Sequence, residues 1–141
     1  MEKQRNLGWT TLEEAKKLVD AGLDPNTADM YYIKEPFMQI ELHTRIDKFA
    51  EKIGGYPIEK ENHYPCWSLG ALLKLIPKNI KVNDESFQFY MSYDNTNKWS
   101  SVYESAFFKR RFFCSVFPNQ MELLINVILW LLHNNHIKKH E

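Results

Sequence analysis

Phe87-Gln88-Phe89-Tyr90-Met91-Ser92-Tyr93, then Asp94-Asn95-Thr96-Asn97, then Trp99-Ser100-Ser101-Val102-Tyr103, reads as a β-hairpin in residue types alone. Phe87, Phe89, Met91 and Tyr93 alternate with Gln88, Tyr90 and Ser92, a period of two that sends one set to each face of a strand. The Asp-Asn-Thr-Asn run carries short polar side chains that bond their own backbone, so it turns the chain. A third aromatic run, Ala106 to Phe117, predicts another strand, with Lys109-Arg110-Arg111 interrupting its alternation. Phe falls on both faces of that strand. Such a pattern suits a sheet covered on both sides or an edge that awaits a partner.

Helical patterns flank these strands, and strands grouped between helices predict the α+β class over alternating βαβ units. The expectation is a single α+β domain over residues 1–141. It has an antiparallel three- or four-stranded sheet with helices packed mainly on one face. At the start, Thr10 and Thr11 can each cap a helix, with Glu13 and Glu14 three residues on. Leu12, Ala15, Leu18 and Val19 form its apolar stripe, and Gly22 supplies a left-handed ending before Asp24-Pro25-Asn26 turns the chain. In the centre, Trp67-Ser68 opens a short buried helix through Leu69-Gly70-Ala71-Leu72-Leu73-Lys74-Leu75, stopped by Pro77.

Between these, Met30-Tyr31-Tyr32-Ile33 predicts a short strand. Met38, Ile40 and Leu42 alternate as a strand would, whereas Leu42, Ile46, Phe49, Ala50 and Ile53 repeat as a helix would. The helix is favoured from about Leu42, ended by Gly54-Gly55. Tyr56 to Tyr64 is polar, carries Pro57, and reads as an ordered surface loop.

The closing helix is the strongest signal. Asn119 caps it, with Glu122 three residues later. Ten of the twelve residues from Met121 to Leu132 are apolar, Glu122 and Asn126 being the exceptions. A surface helix has an apolar face little wider than 100°, and this one is apolar nearly all round. One sheet face would leave several of Ile125, Leu129, Trp130 and Leu132 partly exposed, so self-association through these four residues is expected, a homodimer. The competing expectation is that the sheet curls around the helix and buries it within one chain.

Composition narrows the classes. Lys plus Arg and Asp plus Glu number 18 each, so the formal charge is zero. Nucleic-acid binders usually carry a basic excess, because phosphate neutralisation supplies much of their affinity. Neutrality also removes a barrier to association. Cys66 and Cys114 are two isolated thiols and read as reduced, not as a disulfide framework. The polar Met1–Asn6 stretch lacks a signal-peptide core, and no apolar run approaches the ~20 residues of a membrane span. A cytoplasmic protein without membrane contact is the expectation.

Enzyme chemistry finds little footing. His63 and Cys66 are three apart, but Cys66 sits between Pro65 and Trp67 ahead of an apolar helix, where a small buried hydrophobe belongs. His133, His136 and His140 would share a face only if the last helix continued, and Asn134-Asn135 is expected to end it. No catalytic, cofactor or metal site is therefore assigned. Lys109, Arg110 and Arg111, flanked by Phe107, Phe108, Phe112 and Phe113, form the best nucleic-acid candidate, since sheets that bind single strands pair rings with basic side chains. From residue 86 onward, six basic residues face four acidic ones, a small excess. Three adjacent charges also serve to guard a sheet edge.

Several segments together resemble small uncharacterised bacterial proteins often encoded by prophages and mobile elements. They are Thr11–Val19 with Gly22-Leu23-Asp24-Pro25 and Thr27-Ala28-Asp29-Met30, the central Trp67-Ser68-Leu69-Gly70-Ala71-Leu72-Leu73 through Pro77, and the closing Ile128-Leu129-Trp130-Leu131-Leu132. Cys66 stands where a small residue such as alanine is expected. The resemblance implies an α+β fold and a mobile-element origin, and it carries no active site to transfer. The expected function is a non-enzymatic protein-interaction module with a protein partner or a second copy. The alternative, ranked behind it, is a sheet-based binder of single-stranded nucleic acid using Lys109–Arg111 and the neighbouring aromatics.

Overall fold

The computed structural model describes residues 8–34, 40–43, 52–53, 56–57, 63–105, 107 and 110–140. Thr11 caps the first helix, α1 (Leu12–Asp20). Its hydroxyl accepts from the Glu14 N–H at 3.1 Å, and the Glu14 carboxylate accepts from the Thr11 N–H at 2.8 Å. This reciprocal pair satisfies donors that the first helical turn leaves open. Ala15 and Leu18 carry the buried stripe. Gly22, at φ +108°, ends the helix, and the Leu23 N–H reaches back to the Leu18 carbonyl at 2.9 Å.

Thr10 has a different task. Fully buried, its hydroxyl accepts from the Trp67 N–H at 3.0 Å, and its own N–H donates to the Trp67 carbonyl at 2.9 Å. A 3-10 turn (Pro25–Thr27), capped by the Asp24 side chain, follows α1. Strand β1 (Met30–Lys34) then lies between β2 (Ile40–His43) and, later in the chain, β5 (His63–Cys66), all antiparallel. Strands β3 (Lys52–Ile53) and β4 (Tyr56–Pro57) form a separate two-stranded pair.

This three-stranded sheet corrects two expectations. Leu42 does not begin a helix, because it lies in β2 opposite Tyr32. The period-two reading of Ile40 and Leu42 prevails once β1 offers backbone partners. Residues 44–51 and Gly54-Gly55, over which the helix would run and end, lie outside the described residues. The segment from Tyr56 to Tyr64 is not loop at its two ends, which enter β4 and β5. Pro65 is tolerated in β5 because that strand is an edge.

Ser68 caps α2 (Leu69–Leu75), its hydroxyl accepting from the Ala71 N–H at 3.1 Å, and the helix ends ahead of Pro77. A second, four-stranded sheet follows in the order β6 (Asn79–Val82), β7 (Glu85–Tyr93), β8 (Trp99–Ser105), β9 (Arg111–Phe117), antiparallel throughout. Asn83 and Asp84, both at positive φ, make the two-residue turn between β6 and β7. Such a turn matches the strands' twist. Asp94 organises the next turn, accepting from the Thr96 and Lys98 N–H groups, and its carboxyl is held below the usual range chiefly by the Thr96 hydroxyl.

Helix α3 (Gln120–His133) lies on one face of the four-stranded sheet, against β8 and β9. Its far side packs on α2 and α1. One buried cluster thus joins Leu18 of α1, Leu72 of α2, Ile80, Phe87 and Tyr103 of the sheet, and Leu124, Ile128 and Leu131 of α3. This is an α+β fold with the helices gathered on one sheet face, as the element order predicts. Among the described residues, no helix is long and apolar enough to cross a membrane.

The sandwiching accounts for the unusual composition of α3. Ile125 is 6% exposed and Leu132 fully buried, and only Leu129 and Trp130 are half-buried. Of the four residues among which several are expected to stay partly exposed, Leu129 and Trp130 do so, whereas Ile125 and Leu132 are buried within the chain. That expectation allows for cover by the sheet and by the central helix, and in the fold α1 packs on α3 as well.

Candidate functional site

The third aromatic strand sits at the edge of its sheet. β9 has β8 as its only strand neighbour among the described residues. Pairing runs from Trp99 opposite Phe117 to Tyr103 opposite Phe113, then shifts so that Glu104 faces Arg111. Phe112 is the extra residue of this bulge. An extra residue re-aims the side chains around it, and here the two adjacent rings both meet Trp130. The Phe113 ring stacks on the Trp130 indole at 4.4 Å and 12°, and Phe112 meets it edge-on at 5.6 Å. His136 stacks on Trp130 at 5.2 Å, and burial pushes its pKa down.

The other face of β9 is open. Cys114 lies opposite Val102, and Val116 opposite Ser100, with Tyr90 beside Val102 on the next strand. Val116 is 56% exposed there, and Cys114 is exposed as well. A partly apolar edge therefore runs between Arg111 at one end and Pro118 at the other. Edges of this kind present main-chain donors and acceptors to any extended segment that reaches them.

Arg110 and Arg111 lie at one end of that edge. Lys109 lies outside the described residues, as does Phe108. The Arg110 guanidinium is 3.7 Å from the Glu85 carboxylate, and Arg111 lies opposite Glu104. Stacking surfaces for bases are scarce. Phe112 and Phe113 are committed to Trp130, and the exposed ring on the open face is Tyr90, whose hydroxyl donates to Gln88. Phe107 is 92% exposed. Among the described residues, Phe107 and Arg110 line one cleft, which Asp84 and Glu85 line as well.

The other sequence candidates are also separated. Cys66 is fully buried, and its thiol is hydrogen-bonded with Thr10, whose hydroxyl donates to Sγ at 3.5 Å and whose carbonyl accepts at 3.3 Å. Burial pushes its pKa up, which opposes thiolate chemistry. Under native conditions Cys114 should alkylate within minutes at neutral pH while Cys66 resists until denaturant is added. Mass-mapped iodoacetamide labelling measures this, and equal rates would contradict the burial. α3 stops at His133 with Asn134 as its cap, and Asn135 turns the chain at positive φ. His136 then joins Trp130, and His140 faces Asp24 at 3.6 Å. Among the described residues no three His, Cys, Asp or Glu side chains gather as metal ligands would.

Sequence reading missed β6 and with it the register of the open face. Asn83-Asp84 between Ile80-Lys81-Val82 and Phe87 was the available signal, a two-residue hairpin turn of the favoured composition. Comparison with protein-family models, curated proteins and solved structures found no match.

Proposed function

We propose that this chain is a non-enzymatic protein-interaction module whose β9 edge accepts an extended segment of a partner protein. The observation that carries this reading is the edge position of β9 among the described strands combined with the exposure of Cys114 and Val116 on its open face. A strand added there gains main-chain hydrogen bonds and covers apolar side chains in one step. Arg110 and Arg111 at one end and Pro118 at the other discourage indiscriminate pairing, so occupancy calls for a complementary sequence. The mobile-element setting enters through the sequence resemblance, and a bacterial host protein is the natural kind of partner. A second copy is the other, and neutrality of the chain does not oppose it.

The test is a Val116→Lys variant, which places an edge-guarding charge on the exposed side of the strand near its end, beside a Lys81→Glu control on the opposite edge. Capture from the encoding bacterium's lysate should retain a specific protein on the wild type and the control. Val116→Lys should weaken that capture about tenfold or more, equivalent to about 1.4 kcal/mol. β9 amides should gain exchange protection in the purified complex. If a second copy is the partner, light scattering at tens of micromolar reports a dimer that Val116→Lys dissociates. Capture and mass unchanged by Val116→Lys would overturn the proposal.

A further inference from the structure

Hydrogen bonds elsewhere in the four-stranded sheet fix which way the main chain of β9 faces. In an antiparallel sheet, successive residues turn their N–H and C=O groups to opposite neighbours. The Phe89 N–H donates to the Lys78 carbonyl at 2.9 Å, so Phe89 faces the β6 side, and Gln88 and Tyr90 face β8. Tyr90 lies opposite Val102, so Val102 faces β7, which leaves Ser101 and Tyr103 to face β9. Those two lie opposite Ser115 and Phe113. Cys114 and Val116 therefore turn their main-chain groups away from β8, to the open edge. The Asp94 N–H to the Lys98 carbonyl at 3.0 Å and the Ser105 N–H to the Arg110 carbonyl at 2.8 Å follow the same alternation.

The ladder open to an added strand is short. The bulge at Phe112 ends it on one side, and Pro118, which has no N–H, ends it on the other. Cys114 and Val116 remain between them, both exposed on the open face, where half-buried Val102 lies opposite Cys114. A segment added antiparallel meets these two residues as hydrogen-bonded pairs, and residues directly opposite share a face. The same two residues of the segment, two positions apart, thus supply the main-chain bonds and the side chains that cover Cys114 and Val116.

We propose that the segment taken by the β9 edge belongs to another protein, runs antiparallel to β9, and carries β-branched apolar side chains at positions i and i+2, opposite Cys114 and Val116. This rests on the β9 reading above and names the sequence class of its partner. A second β9 fits the edge less well. Twofold pairing that matches Cys114 with Val116 sets the Phe112 bulge of each strand against Pro118 of the other, so two rigid strands obstruct each other at both ends. A flexible segment bends past both obstacles.

The probe is a labelled peptide with a Thr-Val-Thr-Val-Thr core, followed by fluorescence anisotropy and by the amide resonances of the isotope-labelled chain. Binding should shift the Cys114 and Val116 amides. N-methylation of either valine, whose N–H faces β9 in this register, should weaken binding about tenfold or more. N-methylation of the central threonine, whose N–H points away, should change it by less than about twofold. Serine in place of both valines should weaken binding about fivefold, the scale of two lost cross-strand pairs. No binding at millimolar peptide, equal loss on methylating valine or threonine, or binding that leaves the β9 amides unshifted would each overturn the proposal. A dimer in light scattering that the peptide dissociates would also overturn it, by giving the edge to a second copy. Lysate capture that still depends on Val116, with no peptide binding, would remove this inference and leave the β9 reading standing.

Discussion

Trp67→Ala is expected to lower unfolding free energy by about 3–5 kcal/mol, the usual cost of deleting a buried large aromatic. Domains of this size are stable by only about 5–15 kcal/mol, so the variant would stand near the folding threshold. The Trp67 side chain is fully buried, and its indole N–H donates to the Thr27 hydroxyl at 2.9 Å. Its backbone meanwhile exchanges bonds with Thr10. One residue therefore joins the strand-like segment before α1, the 3-10 turn, β5 and α2. Trp67→Phe should cost less, about 1–2 kcal/mol, because much of the apolar volume stays while the bond to Thr27 is lost. Urea denaturation of the three proteins measures both steps. An alanine variant within about 1 kcal/mol of wild type would contradict the packing role, given the size such cavities normally have.

Leu131→Ala and Leu124→Ala in α3 should each cost about 2–5 kcal/mol, whereas half-buried Leu129→Ala should cost clearly less. Leu124 and Leu131 are fully buried between the sheet and the other helices. Their removal opens a cavity that neighbours from both layers can close only in part. The same variants distinguish burial within the chain from burial by a second subunit. Urea midpoints should fall and be independent of protein concentration, with no change of mass in light scattering. A midpoint that rises with concentration and is lost with Leu131→Ala would restore an α3 interface.

Much of the local structure is readable without coordinates. The Thr11-Glu14 capping box, the Gly22 ending, the Ser68 cap and the Asp94 turn depend on neighbours within a few residues, and each forms as its residue types imply. Elsewhere the signal is ambiguous. Leu42 belongs to both an alternating and a helical pattern, and the choice falls to β1, a partner nearer the start of the chain. The capping preference of Thr10 is overridden in the same way by Trp67, 57 positions away. The candidate edge was half visible. Phe on both faces of the third strand signalled either double cover or an edge, and residue pattern alone does not choose between them.

The α+β class, the hairpin of β7 and β8 and the ends of three helices follow from residue periods and caps, because those signals are local. Which surfaces remain open does not, because exposure depends on what lies opposite. α3 is apolar on nearly all sides, a property of its sequence. In the fold α3 packs against β8 and β9 and against α1 and α2, and Ile125 and Leu132 are buried. The bulge at Phe112 likewise commits two rings to Trp130 and leaves Cys114 and Val116 on the open face. A side chain's periodicity is written in its neighbours along the chain; its accessibility is set by residues brought close through folding.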